Sequence, residues 1–179
     1  MNYILPTLYL TLISSVLIIL IVFLVRQIIQ KKEVEDSFTE LQIKMRNKTA
    51  TSLDYYSLGV IYLSKKLFDQ AILQFRYALK TWDQEDLMGL ASLYNTIGFT
   101  YFETKQYELS IYYYSEAIRL IPNYSIALNN LAYAYEKNQM QNQAIEIYRQ
   151  VLKYDKENEI ALEKLDKLNR LQITRDDRI

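Results

Sequence analysis

Apolar positions follow two regimes along the chain. From Ile4 to Val25 no side chain is charged, and sixteen of the twenty-two positions are Ile, Leu, Val or Phe. Beyond Thr51, apolar residues recur at spacings of three and four with polar residues between them, the pattern of helices that each bury one face. At about 1.5 Å per residue the first stretch measures roughly 33 Å as a helix, enough for a hydrocarbon core of roughly 30 Å. Each central Leu, Ile, Val or Phe favours insertion by about 0.3–0.6 kcal/mol, and the opposition from Thr7, Thr11, Ser14 and Ser15 is small. A cleaved signal peptide would need a charged leading segment, a shorter apolar core and a small-x-small site. Arg26 instead follows Val25 directly. Residues 1–25 are therefore expected to be a single transmembrane anchor in contact with the lipid bilayer. Arg26, Lys31 and Lys32 follow the span and no basic side chain precedes it, so the positive-inside bias places the rest of the chain in the cytoplasm or its equivalent.

Residues 26–50 read as a charged helical linker. Val34, Phe38, Leu41 and Met45 give it one narrow apolar stripe, suited either to a spacer or to contact with a partner helix. Thr51 followed by Asp54 has the form of a helix start. After it an internal repeat sets in. Tyr55, Leu58, Gly59 and Tyr62, then Ala71, Phe75 and Ala78, are matched by Tyr94, Ile97, Gly98 and Tyr101, then Ser110, Tyr114 and Ala117. A third copy runs through Leu128, Leu131, Ala132 and Tyr135, then Ala144, Tyr148 and Val151. Gly98 and Ala132 stand 34 residues apart, the tetratricopeptide period. Gly59 and Gly98 stand 39 apart, which puts about five extra residues in the first copy, around Gln84 to Gly89.

Each copy is expected to be two antiparallel helices that approach closely where Gly59, Ala71 and Ala78, or their equivalents, are small. The fold class is then all-α: an N-terminal transmembrane helix followed by a tetratricopeptide-repeat solenoid at 51–171, with repeats at 52–90, 91–124 and 125–158. A capping helix at 159–171 would turn Leu162, Leu165 and Leu168 inward, and 172–179 would be a frayed tail. Thr104 and Asn138 fall at equivalent exposed turns. Asp83 and Lys156 stand where the pattern ordinarily ends in Pro, which affects local turn geometry only.

Composition narrows the function. The chain has no Cys and no His, which removes disulfides, thiolate sites, and the commonest general base and metal ligand. Lys plus Arg equals Asp plus Glu at 21 each, so no basic excess is available to a phosphate backbone and nucleic-acid binding is not expected. No phosphate loop, nucleophile elbow or zinc-type cluster occurs. The expectation is a non-enzymatic protein with no cofactor and no metal, whose partners are proteins.

In tetratricopeptide proteins the first helix of each pair lines a concave groove. Mapped onto this chain, the inward positions are Leu53, Tyr56, Val60 and Leu63, then Ser92, Asn95, Phe99 and Phe102, then Ile126, Asn129, Tyr133 and Glu136. The candidate protein-binding residues among them are Tyr56, Val60, Leu63, Asn95, Phe99, Phe102, Asn129 and Tyr133, rigid aromatics for anchoring and amides for backbone groups. Several of these, Val60 and Phe99 above all, could equally be core between repeats. Co-chaperones of this class clamp a carboxylate with Lys, Asn and Arg. The matching positions here hold Tyr56, Val60, Thr96, Ile126 and Asn130, so that cationic clamp is absent.

One uncharged span, a charged helical spacer, and a first repeat reading Asp54-Tyr55-Tyr56-Ser57-Leu58-Gly59 and then Lys66-Leu67-Phe68-Asp69-Gln70-Ala71 resemble a known family. It is the cyanobacterial and plastid membrane-anchored tetratricopeptide family called hypothetical chloroplast reading frame thirty-seven, linked to photosystem I assembly or stability. The resemblance covers nearly the whole chain. It implies a single-pass plastid thylakoid membrane protein, its repeats on the stromal side, that holds photosystem I subunits or assembly intermediates. The competing reading is a bacterial inner-membrane scaffold for envelope assembly or secretion.

Overall fold

The computed structural model describes residues 4–176, and side chains from 7 to 170. Among the described residues every regular element is an α-helix. The chain divides between Thr49 and Ala50 into two compact units.

The first unit is one unbroken helix, α1 (Ile4–Arg46). Pro6 lies in its first turn, where no intrahelical N–H is lost, and no glycine interrupts it. The hydroxyls of Thr11, Ser14 and Ser15 donate to the carbonyls of Leu8, Leu10 and Leu12 at 2.9, 2.8 and 2.7 Å. Each polar group is thus answered within the helix, which lowers its cost in an apolar medium. From Thr7 onward α1 is long and apolar enough to cross a membrane, and none of its most apolar window is buried against protein.

The second unit is a run of antiparallel hairpins. α2 (Ser52–Ser64) pairs with α3 (Phe68–Thr81), α4 (Leu87–Glu103) with α5 (Tyr107–Leu120), and α6 (Ser125–Lys137) with α7 (Gln141–Tyr154). α8 (Glu159–Asp176) packs against α7. Thr51 opens the unit with a full capping box: its side chain accepts from the Asp54 N–H, and Asp54 accepts from the Thr51 N–H at 2.9 Å. Inside each hairpin one large ring lies against one small residue. Phe75 covers Gly59, Tyr114 covers Gly98, and Tyr148 is buried in one cluster with Ala132. A Cβ on Gly98 would stand 2.7 Å from the Tyr114 ring, so the closest interhelical approach admits no side chain there.

The three helix-to-helix turns share one geometry. Lys66, Lys105 and Gln139 adopt φ of 58°, 61° and 62°, and the two N–H groups that follow each first helix return to its last turn. Leu67 N–H reaches Tyr62 O and Lys66 N–H reaches Leu63 O, both at 2.9 Å, the two bonds of a Schellman motif. The same pair of bonds recurs at Lys105 and Gln106, and at Gln139 and Met140. Thr104 and Asn138 are consequently not the open turn positions that the spacing suggests. Both are half-buried: the Thr104 hydroxyl donates to Tyr101 O at 2.9 Å, and the Asn138 amide contacts Met140 Sδ at 3.4 Å.

Two further details depart from the sequence reading. The residues added between the first two repeats are partly helix: Leu87, Met88 and Gly89 form the first turn of α4, with Asp86 capping the Gly89 N–H at 2.9 Å. In α8, Leu162 is 48% exposed while Ala161, Leu165 and Leu168 are buried. Spacings of four and then three keep residues within about 60° on a helix of 3.6 residues per turn, whereas starting from Leu162 widens the arc to about 120°. α8 extends as helix to Asp176, into the segment from 172 expected as a tail. Residues 177–179 lie outside the described residues.

Candidate protein-binding groove

Tyr56, Val60 and Leu63 lie along α2, Asn95, Phe99 and Phe102 along α4, and Asn129 and Tyr133 along α6. Steps of three and four place each set on one helical face. Val60, Phe99 and Tyr133 are exposed, and Tyr56, Leu63, Asn95, Phe102 and Asn129 are half-buried. Val60 and Phe99 are therefore not inter-repeat core. Leu53 and Ile126, at the outer edge of the same row, are also exposed.

Hydrogen bonds and ring contacts tie the row together across repeats. The Tyr56 hydroxyl lies 3.3 Å from Thr96 Oγ1, and Asn130 Nδ2 donates to Asn95 Oδ1 at 3.0 Å. The Phe102 and Tyr133 rings sit 5.2 Å apart, and Tyr107 joins Phe102 at 5.4 Å. The Tyr56 ring is wedged against Phe75 and edge-on to Trp82, both at 5.9 Å. Rings held from several sides lose little freedom on contact with a partner, which makes them efficient anchors. Asn129 Oδ1 is buried with no hydrogen-bond partner among the described residues.

Charge collects at the far end of the row. Glu136 accepts a 2.6 Å hydrogen bond from the buried Tyr148 hydroxyl and lies 3.5 Å from Lys164 Nζ. Burial first, and the bond to Glu136 second, hold the Tyr148 phenol well above its ordinary value. Lys137 is held above its ordinary value chiefly by hydrogen bonding with Tyr133. Sequence reasoning missed Lys164. Its signal was there, because it follows Ala161 by three and precedes Leu165 by one, but only the corrected register of α8 turns it toward the third repeat.

A tetratricopeptide-repeat family model matches residues 89–157. The Ycf37 protein of Guillardia theta is 46% identical over 179 residues, all of both chains. The chain belongs to the Ycf37 family. Ycf37 of Cyanophora paradoxa is 34% identical, covering 91% of this chain and 94% of its own. The chloroplastic tetratricopeptide repeat domain-containing protein PYG7 of Arabidopsis thaliana is 31% identical, covering 89% of this chain and 53% of its own. Among solved structures, MamA superposes with a TM-score of 0.72 at 18% identity, covering 82% of this chain and 83% of its own. The first tetratricopeptide domain of Spaghetti (RPAP3) bound to an HSP90 peptide superposes at 0.61 with 20% identity, covering 69% and 94%. These two likenesses concern the fold. In this Ycf37 chain three of the five positions matched to the carboxylate clamp join neighbouring repeats: Tyr56 with Thr96, and Asn130 with Asn95.

Proposed function

We propose that this Ycf37 chain is a non-enzymatic, membrane-anchored scaffold that holds photosystem I subunits or assembly intermediates in its concave groove at the thylakoid, with the repeats on the stromal side. The observation that carries the binding part is the row of exposed Val60, Phe99 and Tyr133 beside half-buried Asn95 and Phe102, apolar groups left open on a rigid frame. The tetratricopeptide fold supports a protein partner, and the Ycf37 and chloroplastic relatives support a plastid location over the bacterial-envelope alternative. The photosystem I role is the one the family resemblance implies. In this reading residues 1–25 are the anchor, 26–50 the spacer and 51–171 the binding domain. Anchoring keeps the groove beside membrane-embedded clients, so a modest affinity suffices.

The test is co-purification from detergent-solubilised membranes, combined with single Ala replacements of Tyr56, Phe99, Phe102 and Tyr133. Photosystem I polypeptides should co-purify, and at least two replacements should weaken client binding by about 1–3 kcal/mol with helical content intact. If every variant folds and still supports photosystem I accumulation, the concave face is not the binding surface.

A further inference from the structure

The row along α2, α4 and α6 differs in charge from one end to the other. Its first members, Tyr56, Val60 and Leu63, are uncharged. At the other end two ammonium groups from different helices converge on one ring: Lys164 Nζ of α8 lies 4.6 Å from the centre of Tyr133, and Lys137 Nζ of α6 lies 5.1 Å from it. The carboxylate placed against this pair is Glu136, which already accepts from Tyr148 and has only 15% of its side chain exposed. Two cations therefore face one committed anion. A lysine that served only to hold the cap would need one partner, and Lys164 has that in Glu136; Lys137 is exposed and adds positive charge beside the Phe102–Tyr133 ring pair.

We propose, on the groove reading above, that the groove takes its partner segment in one polarity. An aromatic or aliphatic side chain of the partner lies on Phe102 and Tyr133, and a carboxylate next to it in the partner sequence is held by Lys137 and Lys164. The partner class is thus an apolar segment carrying an acid, supplied by Asp, Glu or a chain terminus. Ammonium groups already resting on an aromatic face are pre-positioned for a charge-assisted hydrogen bond to an incoming carboxylate. The opposite end of the row, having no charge, takes the apolar remainder.

The experiment uses the full chain in lipid nanodiscs and a library of short random peptides with free C-termini. Recovered peptides should place an acid within a few residues of an aromatic or branched aliphatic side chain. A synthesised representative should lose about tenfold in affinity when Lys137→Gln and Lys164→Gln are combined, while Lys164→Arg keeps it. Amidating the peptide terminus in one arm, and replacing its Asp or Glu by the amide in another, tells which carboxylate is read. Peptides without acidic bias, unaffected by the lysine changes yet lost on Phe102→Ala, would overturn the polarity and leave the groove standing. Peptides indifferent to Phe99→Ala, Phe102→Ala and Tyr133→Ala would remove the groove reading itself, and a selection that recovers nothing above a bare surface would count against both. Circular dichroism of each variant separates loss of binding from loss of fold.

Discussion

The apolar residues of α1 and those of the α4–α5 hairpin are chemically alike and are treated in opposite ways. Ile19 in α1 is 67% exposed, whereas Ile97 in α4 is 1% exposed. In the hairpin the closest approach sets a large side chain on a small one, Tyr114 over Gly98, and Ala91 and Ala117 let the helices meet in one buried cluster. Alternating polar positions then leave the outer face to water. α1 from Leu8 to Val25 has neither a polar face nor a small-residue counterpart, and the hydroxyls of Thr11, Ser14 and Ser15 are turned back on its own carbonyls. A helix apolar all round needs an apolar surrounding, whereas an amphipathic one needs only another helix.

That contrast can be broken most forcefully in α1. Replacing Leu17 and Ile21 together by Lys should cost about 5–7 kcal/mol of insertion free energy near the bilayer centre. The protein should then leave the membrane pellet while the thermal transition of the repeats stays where it was. Continued retention under alkaline and high-salt washing would show that α1 is not what holds the chain there.

The converse change belongs to the hairpin. Tyr114→Ala should destabilise the repeats by about 3–5 kcal/mol, the usual cost of removing a buried ring, and leave membrane retention untouched. A melting curve like the parent's would mean that the ring over Gly98 does not carry the packing.

Raising the pH sharpens the difference without mutation. Burial holds the Tyr114 and Tyr148 phenols above their ordinary value of 10.0. Their folded-state pKa values are raised, so the stability they contribute is fully present below pH 10 and is lost as the pH climbs beyond it. With no His in the chain, little change is expected between about pH 6 and 8. The repeats should therefore unfold above about pH 10 while α1 stays with the lipid. A stability that does not fall as the pH is taken above about 10, or one already falling at neutral pH, would contradict the burial argument.

The smallest effect concerns the turns. Lys105 holds a left-handed φ of 61°, which glycine adopts without steric cost, although glycine also gains freedom when unfolded. Lys105→Gly should raise stability by no more than about 1 kcal/mol, visible as a small upward shift of the melting temperature. A clear loss would mean that the lysine side chain contributes something the turn geometry does not show.

Much of this was legible before any coordinates. The apolar run, the capping box at Thr51 and Asp54, and the three matched sets of large and small residues rest on spacing along the chain, which local helix geometry turns directly into faces. That Tyr56, Asn95, Phe102 and Tyr133 share helical faces with their neighbours was legible for the same reason, whereas whether Val60 and Phe99 are exposed or lie between repeats was left open by spacing alone. The failures share a different cause. Leu162 looked inward because Leu is more apolar than Ala161, yet contact with α7 selects the residue by angle. Thr104 and Asn138 looked open because polar residues in turns usually are, yet the Schellman bonds fold them against their own helices.

The sequence by itself determined that the chain is helical, that one pattern of large and small residues recurs three times and which face most of the apolar sets occupy, because those follow from bond geometry and from the exclusion of apolar groups from water over a few turns. Only the tertiary structure decided what meets across repeats. The Tyr56–Thr96 contact, the Asn95–Asn130 bond, the Phe102–Tyr133 pair and the convergence of Lys137 and Lys164 on one ring join residues of different helices. Their distances depend on how far each hairpin rotates and shifts against the next. That rotation is set by the side chains packed between neighbouring hairpins, Phe75 and Ala78 with Leu93 and Ile97, and Tyr114 with Leu131 and Ala134, a packing solution that no stretch of chain contains alone.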